Sequence, residues 1–161
     1  MRAPCQVLIF PFIREEGKYY YAIFKRKDLN IWQGIAGGGE RNETPTETMR
    51  REAYEEASID RKSPYIRLAS VTTIPAVNIC GLKWGKEIIM IPEFAFGIEV
   101  LSRKIEINNE HTQYLWLNCE DAIDKLKYDS NKSALWELDY RLKNGVLNGI
   151  RKNIQTIKNF L

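Results

Sequence analysis

Glu52, Glu55 and Glu56, in the run Arg51-Glu52-Ala53-Tyr54-Glu55-Glu56, are the residues whose spacing points most directly to chemistry. On a helix they stand at i, i+3 and i+4. At about 100° per residue, all three carboxylates fall in one sector roughly 100° wide. Like charges at this spacing repel and weaken a helix by roughly a few tenths of a kcal/mol per pair. A hard divalent cation would offset that, since Mg²⁺ takes oxygen ligands and binds through carboxylates and substrate phosphates together. The plainer alternative is a solvated acidic helix face. The glycine run Gly37-Gly38-Gly39, followed by Glu40-Arg41-Asn42-Glu43, is by itself no more than a turn. The combination at fixed spacing favours a built site: Gly37, five residues, Glu43, seven residues, then Arg-Glu-apolar-x-Glu-Glu.

A helix has to position these groups, and its start is the clearest in the chain. Thr44 is a good N-cap, Pro45 suits the first helical position, and Glu47 sits at N3, so Thr44-Pro45-Thr46-Glu47 forms a capping box. The helix is predicted to run to about Ser58, with Met49, Ala53 and Ala57 as an apolar stripe. Upstream, Val7–Phe10 and Tyr19–Phe24 read as strands joined by the polar, glycine-bearing turn 14–18, a hairpin. Ala36–Gly39 is expected to break any regular element. Strands are predicted at 65–74, 88–91, 94–100 and 113–117, with Pro92 marking a bulge or an edge. Helices are predicted at about 120–127, 131–143 and 150–160. The order hairpin, helix, strands, helices predicts one mixed α/β domain over residues 1–161, with a largely non-parallel sheet.

Bulk composition excludes more than it assigns. The chain has 161 residues, 44% of them hydrophobic and 28% charged, which supplies a real core and rules out a disordered chain. Three scattered cysteines (Cys5, Cys80 and Cys119), no CxxC pair and one histidine argue against a Cys/His zinc site. They fit reduced thiols and a cytoplasmic location. The longest apolar run, Val7–Ile13, is far short of the roughly 20 residues that span a bilayer, so no membrane association is expected. Net charge is +3, but residues 140–161 carry five basic side chains and no acid. A basic, helical C-terminal extension over about 131–161 is the one route to a nucleic-acid partner, which is otherwise not expected.

Gly37, Glu43, Arg51, Glu52, Ala53, Glu55, Glu56 and Ile59 match the Nudix box in register, and the chain resembles the Nudix hydrolase superfamily. The box covers residues 37–59. Ser58 stands where the box normally has a glycine, and Ala36 where many members have a first glycine. The resemblance implies an α/β/α sandwich with a mixed sheet and extra C-terminal helices. It also implies a Mg²⁺-dependent (or Mn²⁺-dependent) hydrolase of a diphosphate bond. Glu52, Glu55 and Glu56 match metal-ligand carboxylates, the Gly37 carbonyl and Glu40 complete or support the metal site, and Glu43 with Arg51 matches an ion pair that orients the helix. One carboxylate takes the proton of the attacking water, as a general base must. Glu55 and Glu56 are candidates on the helix, and Glu110 is the candidate from a later loop, its alternative being a solvated loop acid.

On the substrate side, Arg26 in Lys25-Arg26-Lys27 offers a guanidinium for bidentate phosphate contact. Trp32 and Gln33 precede the glycine run, and Trp84 with Lys86 lies in a glycine-flanked loop expected to act as a lid. Trp116 is assigned to packing, and Trp136, beside Leu135 and Leu138, is expected to pack the C-terminal helix. His111 is expected to be a hydrogen-bonded structural residue. Ile31-Trp32-Gln33-Gly34, Ser58, and Glu110-His111 followed by Tyr114 and Trp116 are similar to the dihydroneopterin triphosphate pyrophosphatase branch, whose members also hydrolyse dATP-like nucleotides. Two alternatives stay open: a pyrophosphohydrolase of RNA 5′ ends, and a non-catalytic ligand-binding module of the same fold. A nucleotide-like small molecule is the expected substrate, acted on by a monomer or homodimer.

Overall fold

The computed structural model describes residues 2–81 and 83–147. The predicted hairpin is its centre. Strands β1 (Arg2–Glu15) and β2 (Lys18–Arg26) pair antiparallel across a tight turn at Glu16 and Gly17, both with positive φ. Strand β1 is long enough to pair with two neighbours along one edge. Its outer end meets β2, and its first half meets β4 (Ile35–Glu40), which follows the two-residue β3 (Trp32–Gln33). Its other edge pairs parallel with β6 (Met90–Glu99), which pairs antiparallel with β5 (Tyr65–Pro75). Strand β7 (His111–Leu117) closes the far side against β2. The sheet is therefore mixed, with a single parallel pairing among the described strands.

Strand alternation divides the core between two faces. Val7, Ile9, Ala22, Phe24, Phe96 and Ile98 meet helix α1 (Pro45–Ala57) through Met49, Ala53 and Ala57. Leu8, Phe10, Tyr21, Ile23 and Ala95 meet helices α3 (Cys119–Lys125) and α4 (Asp129–Asn144) through Ala122, Leu135 and Leu138. This is the expected α/β/α sandwich with extra C-terminal helices. A four-residue helix, α2 (Val77–Cys80), links β5 to the loop before β6. The predicted helix at 150–160 and the basic residues Arg151, Lys152 and Lys158 lie outside the described residues.

The capping box at α1 forms as predicted: Thr44 accepts from the Glu47 backbone, and the Glu47 carboxylate accepts from the Thr44 N–H at 2.7 Å. Ser58 ends the helix in the left-handed conformation (φ 52°, ψ 31°), as the glycine of the box would. Its N–H closes onto Tyr54 O, the bond of an αL cap, and the N–H of the buried Ile59 bonds Ala53 O. Pro92 sits one residue before the β1–β6 ladder begins, so its missing N–H costs no bond to β1.

Two expectations are corrected. Ala36–Gly39 does not break regular structure; it lies in β4, paired with β1 from Leu8 to Gln6. The glycines serve close approach instead. A Cβ on Gly37 would collide with the Glu52 carboxyl group, and one on Gly39 would stand 2.9 Å from Cys5 Sγ. Trp136 does not pack inward. Asn131, Ala134, Leu135, Leu138 and Arg141 form the inner face of α4, while Trp136 is 58% exposed and stacks on Tyr140.

Candidate active site

Helix α1 lies with Glu52 and Glu56 turned toward the sheet and Glu55 turned outward. Glu52 and Glu56 are buried, whereas the Glu55 side chain is about half exposed. The three carboxylates thus share a helix sector but not an environment. Burial pushes the Glu52 carboxyl up, against the pull of Arg51. Burial, reinforced by the charges of Glu52 and Glu110, pushes Glu56 up to about 9. Glu56 Oε2 is buried and has no hydrogen-bond partner.

Arg51 organises the rest. Its Nε and Nη2 grip Glu43 bidentately, each at 2.9 Å; Nη1 reaches Glu52 at 2.7 Å and Glu55 at 3.1 Å; and Nη2 also donates to Gly38 O. The guanidinium holds Glu43 down at about 2, and Glu43 also accepts from the Glu40 N–H and from Thr48 Oγ1. One cation therefore ties the loop after β4, the helix and the glycine strand together. Glu40 itself is exposed and contributes its backbone to this network.

The loop before β7 brings the next groups in. Asn108 N–H bonds Glu56 O at the end of α1, and Lys27 N–H bonds Glu110 O. Glu110 is thereby pinned beside the Arg26 turn, and His111 is delivered next to Glu56, with Nε2 3.6 Å from Oε2. His111 packs on Phe24, its Nδ1 is buried without a partner, and burial pushes its pKa down to about 4. The expectation of a hydrogen-bonded structural histidine is not met at that nitrogen.

A cleft of about 660 Å³ opens at this end of the molecule. Gly37, Gly38, Arg26 and Glu110 line one end, Gln6, Glu93 and Thr72 its floor, and Asn78, Tyr128 and Asn131 its walls. A concavity of about 790 Å³ along the outer face of α4, over Trp136 and Tyr140, contains none of the expected site residues. Arg26 is engaged with Asp28 through Nε at 2.8 Å and Nη2 at 2.5 Å. Gln33 is buried in the cleft wall. Trp32 instead packs on the α3–α4 side of the core, with Lys25 Nζ 5.9 Å from its ring centroid. Trp84 and Lys86 are not among the residues that line the cleft.

Sequence reasoning missed Gln6, Glu93, Thr72, Asn78 and Asn131, which come from five separate elements. A signal existed for one of them: Glu93 is a lone acid in the otherwise apolar run Ile91-Pro92-Glu93-Phe94-Ala95-Phe96.

The arrangement suits a hard cation on two observations. Glu56 Oε2 is an unsatisfied buried oxygen. Gly37 leaves room for the Glu52 carboxyl group directly against the strand. Among the described residues no three Asp, Glu, His or Cys side chains already converge as a cage; Arg51 Nη1 sits between Glu52 and Glu55 and bonds both.

Residues 5–136 match the NUDIX domain. The chain belongs to the NUDIX family. It is a NUDIX-type diphosphate hydrolase. A structure described as a NUDIX hydrolase from Listeria monocytogenes is 37% identical, with a TM-score of 0.84 over 92% of this chain and 100% of the other. The dihydroneopterin triphosphate diphosphatase of Haemophilus influenzae is 25% identical over 122 residues, 74% of this chain and 77% of its own. The dihydroneopterin triphosphate pyrophosphohydrolase of Escherichia coli shares the fold, with a TM-score of 0.68 at 23% identity over 83% of this chain and 93% of that one. No helix among the described residues is long and apolar enough to cross a membrane.

Proposed function

We propose that this NUDIX protein is a Mg²⁺-dependent pyrophosphohydrolase that cleaves a phosphoanhydride bond of a nucleoside or pterin triphosphate, such as dihydroneopterin triphosphate or a dATP-like nucleotide. The observation that carries this reading is the buried Glu52–Glu56 carboxyl pair on α1, whose Glu52 carboxyl group stands directly against Gly37, a residue that lines a cleft large enough for a small-molecule triphosphate. The names of the Haemophilus and Escherichia relatives support the pterin arm of the reading.

Glu52, Glu56 and the Gly37 carbonyl would hold Mg²⁺ (or Mn²⁺), with Glu55 joining on release from Arg51. Such a cation supplies charge neutralisation at the phosphoanhydride oxygens. The remaining work falls to the chain itself. Arg26 exchanges Asp28 for phosphate and fixes the polyphosphate in line for attack by water. The water proton goes to a carboxylate: Glu55 or Glu56 on α1, or Glu110, which the loop holds in the cleft lining beside Arg26. Arg51 and Glu43 position the helix and keep its acids apart in role. Gln33 contacts the substrate from the wall. The RNA-end alternative leans on a basic tail most of whose charge lies outside the described residues. The test is product release from dihydroneopterin triphosphate, dATP, GTP and triphosphorylated RNA, with and without Mg²⁺. Pyrophosphate plus a monophosphate is the expected product pair.

A further inference from the structure

The cleft floor carries a second acidic feature that the phosphate chemistry does not use. Glu93 is 6% exposed, yet it lines the cleft. Its neighbour across the parallel ladder is Gln6, whose Nε2 donates to Glu93 Oε2 at 2.8 Å. Gln6 in turn pairs with Gly38 on β4. Glu93 therefore stands two strand spacings, about 10 Å, from the glycine strand at the phosphate end. Strand alternation puts Gln6 in the row of Leu8 and Phe10, and Glu93 in the row of Ala95 and Gly97. Leu8 and Ala95 belong to the core under α4, whereas Gln6 and Glu93 lie one step further along, where the sheet floors the cleft.

A buried carboxyl group is costly unless it is hydrogen-bonded. Burial pushes the Glu93 carboxyl up and the Gln6 amide pulls it down. Gln6 donates one hydrogen bond to it, while an ionised carboxylate has roughly four lone-pair sites and accepts only. A group that satisfies such a carboxylate presents two neighbouring N–H donors in one plane. The 2-amino-4-oxopyrimidine ring, common to guanine and the pterins, does so with its ring N–H and exocyclic amino group. Adenine sets a ring acceptor beside its amino group, and hypoxanthine has the ring N–H alone.

We infer that Glu93, oriented by Gln6, reads the N–H/NH₂ edge of a 2-amino-4-oxopyrimidine ring at the cleft floor, making the site selective for guanine- or pterin-type substrates over adenine. The inference rests on the proposed function for the placement of the phosphates, but ring recognition is measurable without turnover. A good bidentate contact to a base is worth roughly 1–3 kcal/mol, or at least about fivefold in affinity.

The experiment is calorimetric titration with GMP and with neopterin, against AMP and IMP, on the wild-type chain and on Glu93→Gln. The Gln side chain keeps the shape but loses one acceptor. GMP or neopterin is expected to bind at least about fivefold more tightly than AMP and IMP, and whichever does so identifies the source of the ring. Glu93→Gln is expected to erase that margin without lowering AMP affinity. Gln6→Met, which removes only the orienting amide, gives a smaller loss in the same direction and covers the case in which Glu93→Gln fails to fold. Equal binding of all four ligands overturns the inference, as does an unchanged margin in a folded variant. Ring discrimination without turnover on any triphosphate removes the proposed function and leaves this inference standing; turnover without discrimination does the reverse.

Discussion

Glu56 and His111 face each other across 3.6 Å in a buried space, and they are not an ion pair. Burial and the neighbouring acids push Glu56 up to about 9, while burial pushes His111 down to about 4. At neutral pH, without a cation, both groups are uncharged. The acid holds its proton for want of a better counter-charge, and a divalent cation is the group that would displace it.

This arrangement predicts an unusual pH dependence of stability. Between about pH 7.5 and 9, beginning a unit above the ordinary imidazole value, His111 is neutral both in the fold and in the unfolded chain. Glu56 keeps its proton in the fold but loses it on unfolding, so the unfolded state binds fewer protons and stability falls as pH rises. The melting temperature of the metal-free protein should drop by several degrees across this window. Mg²⁺ or Glu56→Gln should flatten the slope, as melts at fixed ionic strength will show.

Arg51→Ala should destabilise the protein by about 3 kcal/mol, because it strands a buried carboxyl group at Glu52 and releases Glu43. Arg51→Lys should recover only part of this, since an ammonium cannot grip Glu43 through two planar N–H groups. Urea titration of the two variants checks both statements.

Gly37→Ala should leave the sheet intact but displace Glu52, whose carboxyl group occupies the space a Cβ needs. A shift of about 1 Å at a reacting centre costs on the order of 100-fold in rate. The variant should therefore fold, as judged by far-UV circular dichroism, and lose about that much of kcat/KM.

Ser58→Gly should stabilise. Ser58 is held at φ 52°, a left-handed conformation that costs a non-glycine residue roughly 1 kcal/mol. Relieving it should raise the melting temperature by a few degrees with turnover unchanged.

What could be read from the sequence was local. The Thr44–Glu47 capping box, the end of α1 at Ser58 and the hairpin around Gly17 depend on residues within a turn or two, and each stands where it was expected. The glycine run was misread because its reason is not local: Gly37 answers to Glu52 on another element. Helix periodicity grouped Glu52, Glu55 and Glu56 in one sector, but only the packing of α1 shows that two are buried and that Arg51 holds the third at the surface. The Gln6–Glu93 pair joins residues 87 positions apart through a parallel crossover, which no spacing rule could bring together. Trp32, Trp84 and Lys86 were chosen for residue type and for their places near glycines, whereas the cleft lining includes Gln6, Gln33, Thr72, Glu93 and Asn131, brought together from five elements by the fold.

The central claim is that the Glu52–Glu56 pair runs cation-dependent cleavage of a triphosphate, and one measurement tests it most directly: pyrophosphate release from the triphosphate panel by wild-type protein and Glu56→Gln, each with and without Mg²⁺. The account predicts release by the wild type only with Mg²⁺, and a loss of at least about 100-fold in the variant, within the range that general acid–base groups contribute. Release that ignores Mg²⁺, or near-normal turnover by Glu56→Gln, would contradict it.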